Sequence, residues 1–393
     1  MRSGSGSWLT DVDGRRYLDC VAGPGVLLLG HSHPAVVAAV QEQAARLMHS
    51  SFQLNEPILA LAEDLAALAG EPFRRVFFAN SGSEAIETAV KLAKKFQAGR
   101  GRFGHSVAAL EDGYHGRTGI SLALTGMSVY KTGLPAFSLY PGVVHLPVPR
   151  DEAGLDVAEL GRRLDAQLQD ELIAIVAEPI LGVGGVVVPP PGFLRMLRDL
   201  CDARGALLIL DEIFTGLGRT GTVFAFQRED VRPDILVVGK PLGAGLPVGA
   251  VVTSDEIGTC WAPVEHSTTF GGNGALLGAV GQAVLTELVK GDLAAAADTQ
   301  GARLLADLRA AAPPDVEVRG RGLLTGLDFG SAERAGRFAR SMLADGVLVG
   351  LGGQRRSVVR LTPPLIVSAE ELDLIRDTAA RAMAATTDKA ASR

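Results

Sequence analysis

Four groups in this sequence have types and positions suited to chemistry in one place. The run "LLILDEIFTGLGRTG" (Leu207–Gly221) stays apolar until Asp211 and Glu212 and then turns to glycine. A carboxylate at the end of a buried strand loses its water at considerable cost unless a partner charge or hydrogen bonds replace it, so Asp211 requires a partner from elsewhere. Lys240, the only lysine between Lys131 and Lys290, follows the apolar run "DILVVG" and precedes the glycine-proline loop "PLGAGLP". The turn "NSGSEA" (Asn80–Ala85) follows "VFF" and enters a helix. It offers free backbone N–H groups beside the Ser81 and Ser83 hydroxyls, a setting that favours a phosphate. Serine followed three residues later by glutamate is also an ordinary helix cap. Glu178 closes "LIAIVAE" in the same manner. Ligands of an open parallel sheet bind beyond the carboxyl ends of its strands, so all four segments should face one crevice. An amine, an acid and an anion site together suit pyridoxal phosphate: the lysine binds the aldehyde as a Schiff base, and the acid keeps the ring nitrogen protonated. No "GKS" or "GKT" follows a glycine-rich turn, and a dinucleotide fingerprint is missing, so nucleotide sites of those kinds are not expected.

The elements that must position these groups have a repeated grammar. Short apolar runs ending in polar residues and glycine ("SVAALEDGYHG", "LIAIVAEPILG", "ALLILDEIFTG", "DILVVGKPLGAG") read as strands apolar on both faces, hence a sheet covered by helices. Residues 51–285 are therefore expected to form an α/β domain with a mostly parallel sheet. "WLTDVDGRRYLD" reads as a hairpin turning at Asp13–Gly14, "AVVAAVQEQAARLMHS" and "EPILALAEDLAALAG" as helices, the second ended by Gly70. Residues 286–393, with an Ala-rich helix, "VEVRGRGLLTGLDFG", "SVVRLTPPLIVS" and a closing helix from Ala369, read as a smaller α+β domain that residues 1–50 join.

Composition narrows the partners. With 393 residues, 47% of them hydrophobic, and a formal net charge of -6, the chain can build a large core and has no field favouring nucleic acid or an acidic membrane. Apolar runs are broken well short of the roughly 20 residues that span a bilayer. A secretory leader is not read at the start. Cys20, Cys201 and Cys260 are odd in number and widely spaced, which points to a reduced, cytoplasmic setting, and His31 and His33 in "GHSHP" read as a turn rather than a metal site.

The motifs "DVDGRRYLD", "GHSHP", "NSGSEAIETAVKLAK", "GYHGRT", "EPILGVGG", "LLILDEIFTGLGRTG", "GKPLGAGLPVGAV", "HSTTFGGN" and "VVRLTPPL" run nearly end to end. In that order the chain resembles the class III, or omega, aminotransferases, pyridoxal-phosphate enzymes of fold type I, and their acetylornithine, ornithine and diaminobutyrate branch in particular. The resemblance implies a large domain with a mostly parallel seven-stranded sheet between helices, a smaller α+β domain, and a ping-pong transfer of nitrogen from an amino acid or omega-amino donor to a keto acid such as 2-oxoglutarate. It implies Lys240 as the Schiff-base lysine, Asp211 as partner of the ring nitrogen, Ser81, Gly82 and Ser83 at the phosphate, and Tyr114 and Ile213 on the two faces of the ring. Thr269 matches a threonine that reaches the phosphate of the neighbouring subunit, which makes the active unit a homodimer or larger. Arg360 matches an arginine that grips a substrate carboxylate, Glu178 the glutamate that pairs with it, and Arg117 a second carboxylate-binding arginine. Glu212 receives no catalytic role.

Departures from the family pattern leave alternatives open. Leu181 and Val183 stand in "EPILGVGG" where glutamine and glutamate are usual, and Phe214 replaces a glutamine expected at the cofactor's ring oxygen. All three are expected to make the pocket more apolar. A racemase or epimerase on the same scaffold, and a non-catalytic homologue acting as a binding protein, are the competing functions.

Overall fold

The computed structural model describes residues 1–134, 140–148, 156–168 and 171–387. A seven-stranded sheet forms its centre, in the spatial order Phe73–Ala79, Gly249–Ser254, Ile235–Gly239, Leu207–Asp211, Leu172–Ala177, Ser106–Leu110 and Val143–Leu146. Only Gly249–Ser254 runs against its neighbours, and the other described pairings are parallel. The fold is α/β, as the repeated apolar runs indicate: strands Leu172–Ala177, Leu207–Asp211 and Ile235–Gly239 are buried at every position, which requires cover on both faces.

That cover comes from amphipathic helices. Helix Gly82–Gly99 buries Ala85, Ile86, Ala89, Val90, Ala93 and Phe96 at three- and four-residue spacing against one face. Helices Glu56–Ala69 and Ala275–Lys290 pack together so closely that a Cβ on Gly278 would lie 2.4 Å from the Pro57 carbonyl carbon. Only glycine permits that approach. The first of these helices ends at Gly70, with φ +81°, as its sequence indicates. Helix Pro34–Arg46 stops before "LMHS", because Leu47 turns to an extended conformation.

The N-terminal hairpin pairs Trp8 with Leu18 and Thr10 with Arg16, and its second strand is joined by Val347–Leu348 from the far end of the chain. The reading of "VEVRGRGLLTGLDFG" as strand-like resolves into two antiparallel strands, Glu317–Arg321 and Leu324–Asp328. Strands Val358–Leu361 and Gly350–Gly352 complete that second sheet. Arg360 stands there between Gly326 and Gly350 as its cross-strand neighbours, and its side chain lies over Gly352, where a Cβ would meet Arg360 Cδ at 2.9 Å. Among the described residues, no helix is long and apolar enough to cross a membrane.

Candidate active site

The carboxyl ends of the central strands surround a cavity of about 390 Å³. Ser81, Gly82, Ser83, Tyr114, His115, Glu178, Asp211, Ile213, Phe214 and Lys240 reach its wall. The four segments singled out in the sequence thus converge, because each ends a strand of one sheet on the same edge.

Asp211 is 3% exposed and finds its partner in His115, whose Nδ1 lies 2.8 Å from Asp211 Oδ2. An ionised carboxylate only accepts, so the Nδ1 proton of His115 points to Asp211, leaving His115 Nε2 buried without a hydrogen bond. The backbone N–H of Ile213 donates to the other oxygen at 3.1 Å. Glu212 is aimed elsewhere: its carboxylate accepts from the backbone N–H groups of Ala225 and Phe226 and from the Thr215 hydroxyl. Burial raises its carboxyl to about 7 despite these donors. It ties the loop after the strand together, a structural task.

Lys240 ends the strand Ile235–Gly239 with φ +40°, a left-handed conformation uncommon outside glycine. Its amine makes no hydrogen bond to a described residue and stands 4.3 Å from the centre of the Phe214 ring. Burial lowers the amine from 10.5 to about 8, against the pull of Asp211 and Glu178. Glu178 is raised to about 7, chiefly by burial and also by Asp211, while His115 and two backbone donors oppose the rise. Those donors are Tyr114 N at 2.8 Å and Gly182 N at 3.0 Å.

The N-terminus of helix Gly82–Gly99 opens onto the same space. Ser81 Oγ caps it by accepting from Glu84 N, so the ordinary capping role holds for Ser81, while Ser83 Oγ accepts from Arg117 N. A Cβ on Gly82 would sit 2.8 Å from Ile213 Cδ1, so glycine is what allows the helix start to approach Ile213 so closely. A helix start presenting backbone donors, a lysine amine without hydrogen-bonding partner and a buried carboxylate around one cavity fit the phosphate, aldehyde and ring nitrogen of pyridoxal phosphate.

Three residues lie outside the cavity wall. Arg360 does not touch Glu178: no ion pair within 4 Å joins them, though Glu178 lies within electrostatic reach, and its contacts include Gly182 O at 3.5 Å and the Phe214 ring at 5.6 Å. Its Nε is buried without a partner, and burial lowers its pKa. Arg117 is exposed, with Nε 3.2 Å from the Tyr114 hydroxyl and its guanidinium 4.4 Å from the Tyr130 ring. No carboxylate of a described residue pairs with Arg117. Thr269 is exposed on a loop where its carbonyl accepts from His49 and Asn273.

Leu181 corrects one expectation. It is fully buried, bonded through its backbone to Val187, and packs in the core rather than at the cavity, so only Val183 and Phe214 make the wall more apolar. His115 and Tyr130 carried no assigned role. The signal for His115 was its place in "GYHGRT", beside Tyr114, with Asp211 in need of a cation or donor.

The family described as aminotransferase class-III matches residues 1–383. An acetylornithine aminotransferase of Methanopyrus kandleri is 42% identical over 371 residues, 94% of this chain and 90% of its own. The ornithine aminotransferase of Toxoplasma gondii superposes with a TM-score of 0.89 at 32% identity, covering 98% of this chain and 90% of that one. A transaminase from the marine bacterium Virgibacillus gives 0.93 at 26% identity, covering 99% and 93%.

Proposed function

The chain belongs to the class-III aminotransferases, pyridoxal-phosphate enzymes that move an amino group between amino and keto acids, and we propose that its acceptor is a keto acid with two carboxylates, such as 2-oxoglutarate. The observation that carries this reading is the pair of arginines flanking the cavity, Arg360 and Arg117, neither of which is ion-paired with a carboxylate of a described residue. Arginine's planar fork binds carboxylate in two parallel hydrogen bonds, so each is suited to one end of such an acid.

In this reading Asp211 would hold the ring nitrogen, the helix start at Gly82 and Ser83 the phosphate, and Tyr114 and Ile213 the ring faces. Bound there, pyridoxal phosphate would supply an electron sink for chemistry at the substrate's α-carbon. Lys240 Nζ takes and returns the proton of that carbon; an amine near 8 is suited to the work, because it can be vacated and refilled at neutral pH. His115 keeps Asp211 oriented. Glu178, whose carboxyl burial raises to about 7, ionises more fully when a cationic donor or the Arg360 guanidinium moves against it. The donor's far end is then apolar, acylated or paired with Glu178, since a free ammonium against Phe214 and Val183 would lose its hydration.

We also place the active unit as a homodimer in which Thr269 reaches the neighbouring phosphate. Exposed Leu54 (84%) and Phe270 (67%) beside the Thr269 loop support a covered surface. Division into a large domain, 51–285, and a small one, 1–50 with 286–393, is supported by the sheet that Val347–Leu348 shares with the N-terminal hairpin. Cysteines without disulfides suit a cytoplasmic setting.

The test is a two-half screen. Amino donors are added to the loaded enzyme while its visible absorbance is followed, and keto acids are then added to restore it. Restoration by 2-oxoglutarate at far lower concentration than by pyruvate supports the reading, and equal restoration by both refutes it.

A further inference from the structure

Arg117 is an exposed side chain whose guanidinium is nevertheless held in place by two aromatic residues. Its Nε donates to the Tyr114 hydroxyl at 3.2 Å, and its face lies 4.4 Å from the Tyr130 ring. Tyr130 in turn packs edge-on against Tyr114, with centroids 5.3 Å apart and planes at 69°. A flexible arginine loses considerable side-chain freedom when it must grip a ligand, and a ring on its face removes much of that cost in advance.

The turn that carries Tyr130, Ser128–Lys131, has a second attachment. Gln354 donates through Nε2 to Ser128 Oγ. Gln354 lies in the connection between strands Gly350–Gly352 and Val358–Leu361, and the second of these holds Arg360. One short turn is thereby fastened to Arg117 through Tyr130 and to the Arg360 hairpin through Ser128.

From this juxtaposition we propose that Tyr130 is a specificity-determining residue, one that positions Arg117 relative to Arg360 so that acceptors with two carboxylates are selected over those with one. It acts through Arg117 and touches no reacting atom. The inference rests on the reading of Arg117 and Arg360 as carboxylate grips.

The protein is loaded with pyridoxamine 5′-phosphate, and single-turnover return of visible absorbance is measured against 2-oxoglutarate and against pyruvate. Glutarate, an unreactive dicarboxylate, is titrated calorimetrically into the loaded protein in parallel. Tyr130→Leu should raise the half-saturating concentration of 2-oxoglutarate and the glutarate dissociation constant by about 5- to 30-fold, the range of a partly desolvated cation–π contact. Pyruvate should change by less than about 2-fold. Tyr130→Phe keeps the ring and should keep the discrimination. Gln354→Ala loosens the same turn from its other attachment and should lose part of it, which gives a readout if Tyr130→Leu folds poorly. Equal effects on both acceptors, no effect on either, or a Tyr130→Phe variant as impaired as Tyr130→Leu would overturn the proposal. Arg117→Ala separates the two levels: if it leaves discrimination intact, the grip reading itself fails, whereas if it abolishes discrimination and Tyr130→Leu does not, only the role of Tyr130 fails.

Discussion

Replacing Lys240 by methionine should end turnover and make the cofactor-free protein more stable. The amine falls from 10.5 to about 8, with burial as the main cause. At ~1.4 kcal/mol per pH unit, the folded state disfavours the ammonium by roughly 3 kcal/mol relative to the unfolded chain. The sign follows from proton uptake. Between about 8 and 10.5 the unfolded chain holds more protons, so stability rises with pH there, and below about 8 the full penalty is present. Methionine is of similar length and has no charge to desolvate, so Lys240→Met should gain about 1–3 kcal/mol at pH ~7, with the gain fading as pH rises through the amine's range. The attraction of Asp211 and Glu178 already counts within that lowering, and water entering the cavity sets the lower end. Guanidinium unfolding of cofactor-free parent and variant, followed by tryptophan fluorescence and circular dichroism at neutral and alkaline pH, measures the difference. If unfolding is irreversible, thermal midpoints at matched scan rates serve instead. A variant less stable than the parent at neutral pH, or a gain of the same size at both pH values, refutes the desolvation argument.

His115→Leu removes the 2.8 Å partner of a carboxylate that is 3% exposed, and a charged hydrogen bond of about 1.5–3 kcal/mol corresponds to a fall of roughly 10- to 150-fold in kcat. The Michaelis constants should move little, and a variant with parental kcat contradicts the positioning role. Glu212→Ala strands the N–H groups of Ala225 and Phe226 and the Thr215 hydroxyl in a buried loop. Unfolding should become easier by ~2–4 kcal/mol, while a variant as stable as the parent would show that the loop finds other partners. Thr269→Ala should weaken cofactor retention by about 1.5–3 kcal/mol, read by equilibrium dialysis. Sedimentation showing a fully active monomer would end the cross-subunit assignment.

The local text was sufficient to find the strand ends and the ionisable groups that stand at them. Asp211, Lys240, Glu178 and the Ser81–Ser83 turn each follow an apolar run, and where such a run stops is a property of neighbouring residues. The parallel-sheet rule then brings them to one edge without reference to any long-range contact. Partnerships across the chain were decided only in three dimensions. Asp211 meets His115 from 96 positions away, and neither periodicity nor turn chemistry encodes that meeting. Leu181 and Val183 are two residues apart in one motif, yet the first packs in the core and the second at the cavity, because the bridge to Val187 fixes how the turn is rotated. Arg360 could be assigned a task from its motif, but its separation from Glu178 depends on how a C-terminal sheet sits over Gly182 and Phe214. Hydrophobic pattern constrains what each segment becomes, while a side chain's direction and partner depend on packing between segments hundreds of residues apart.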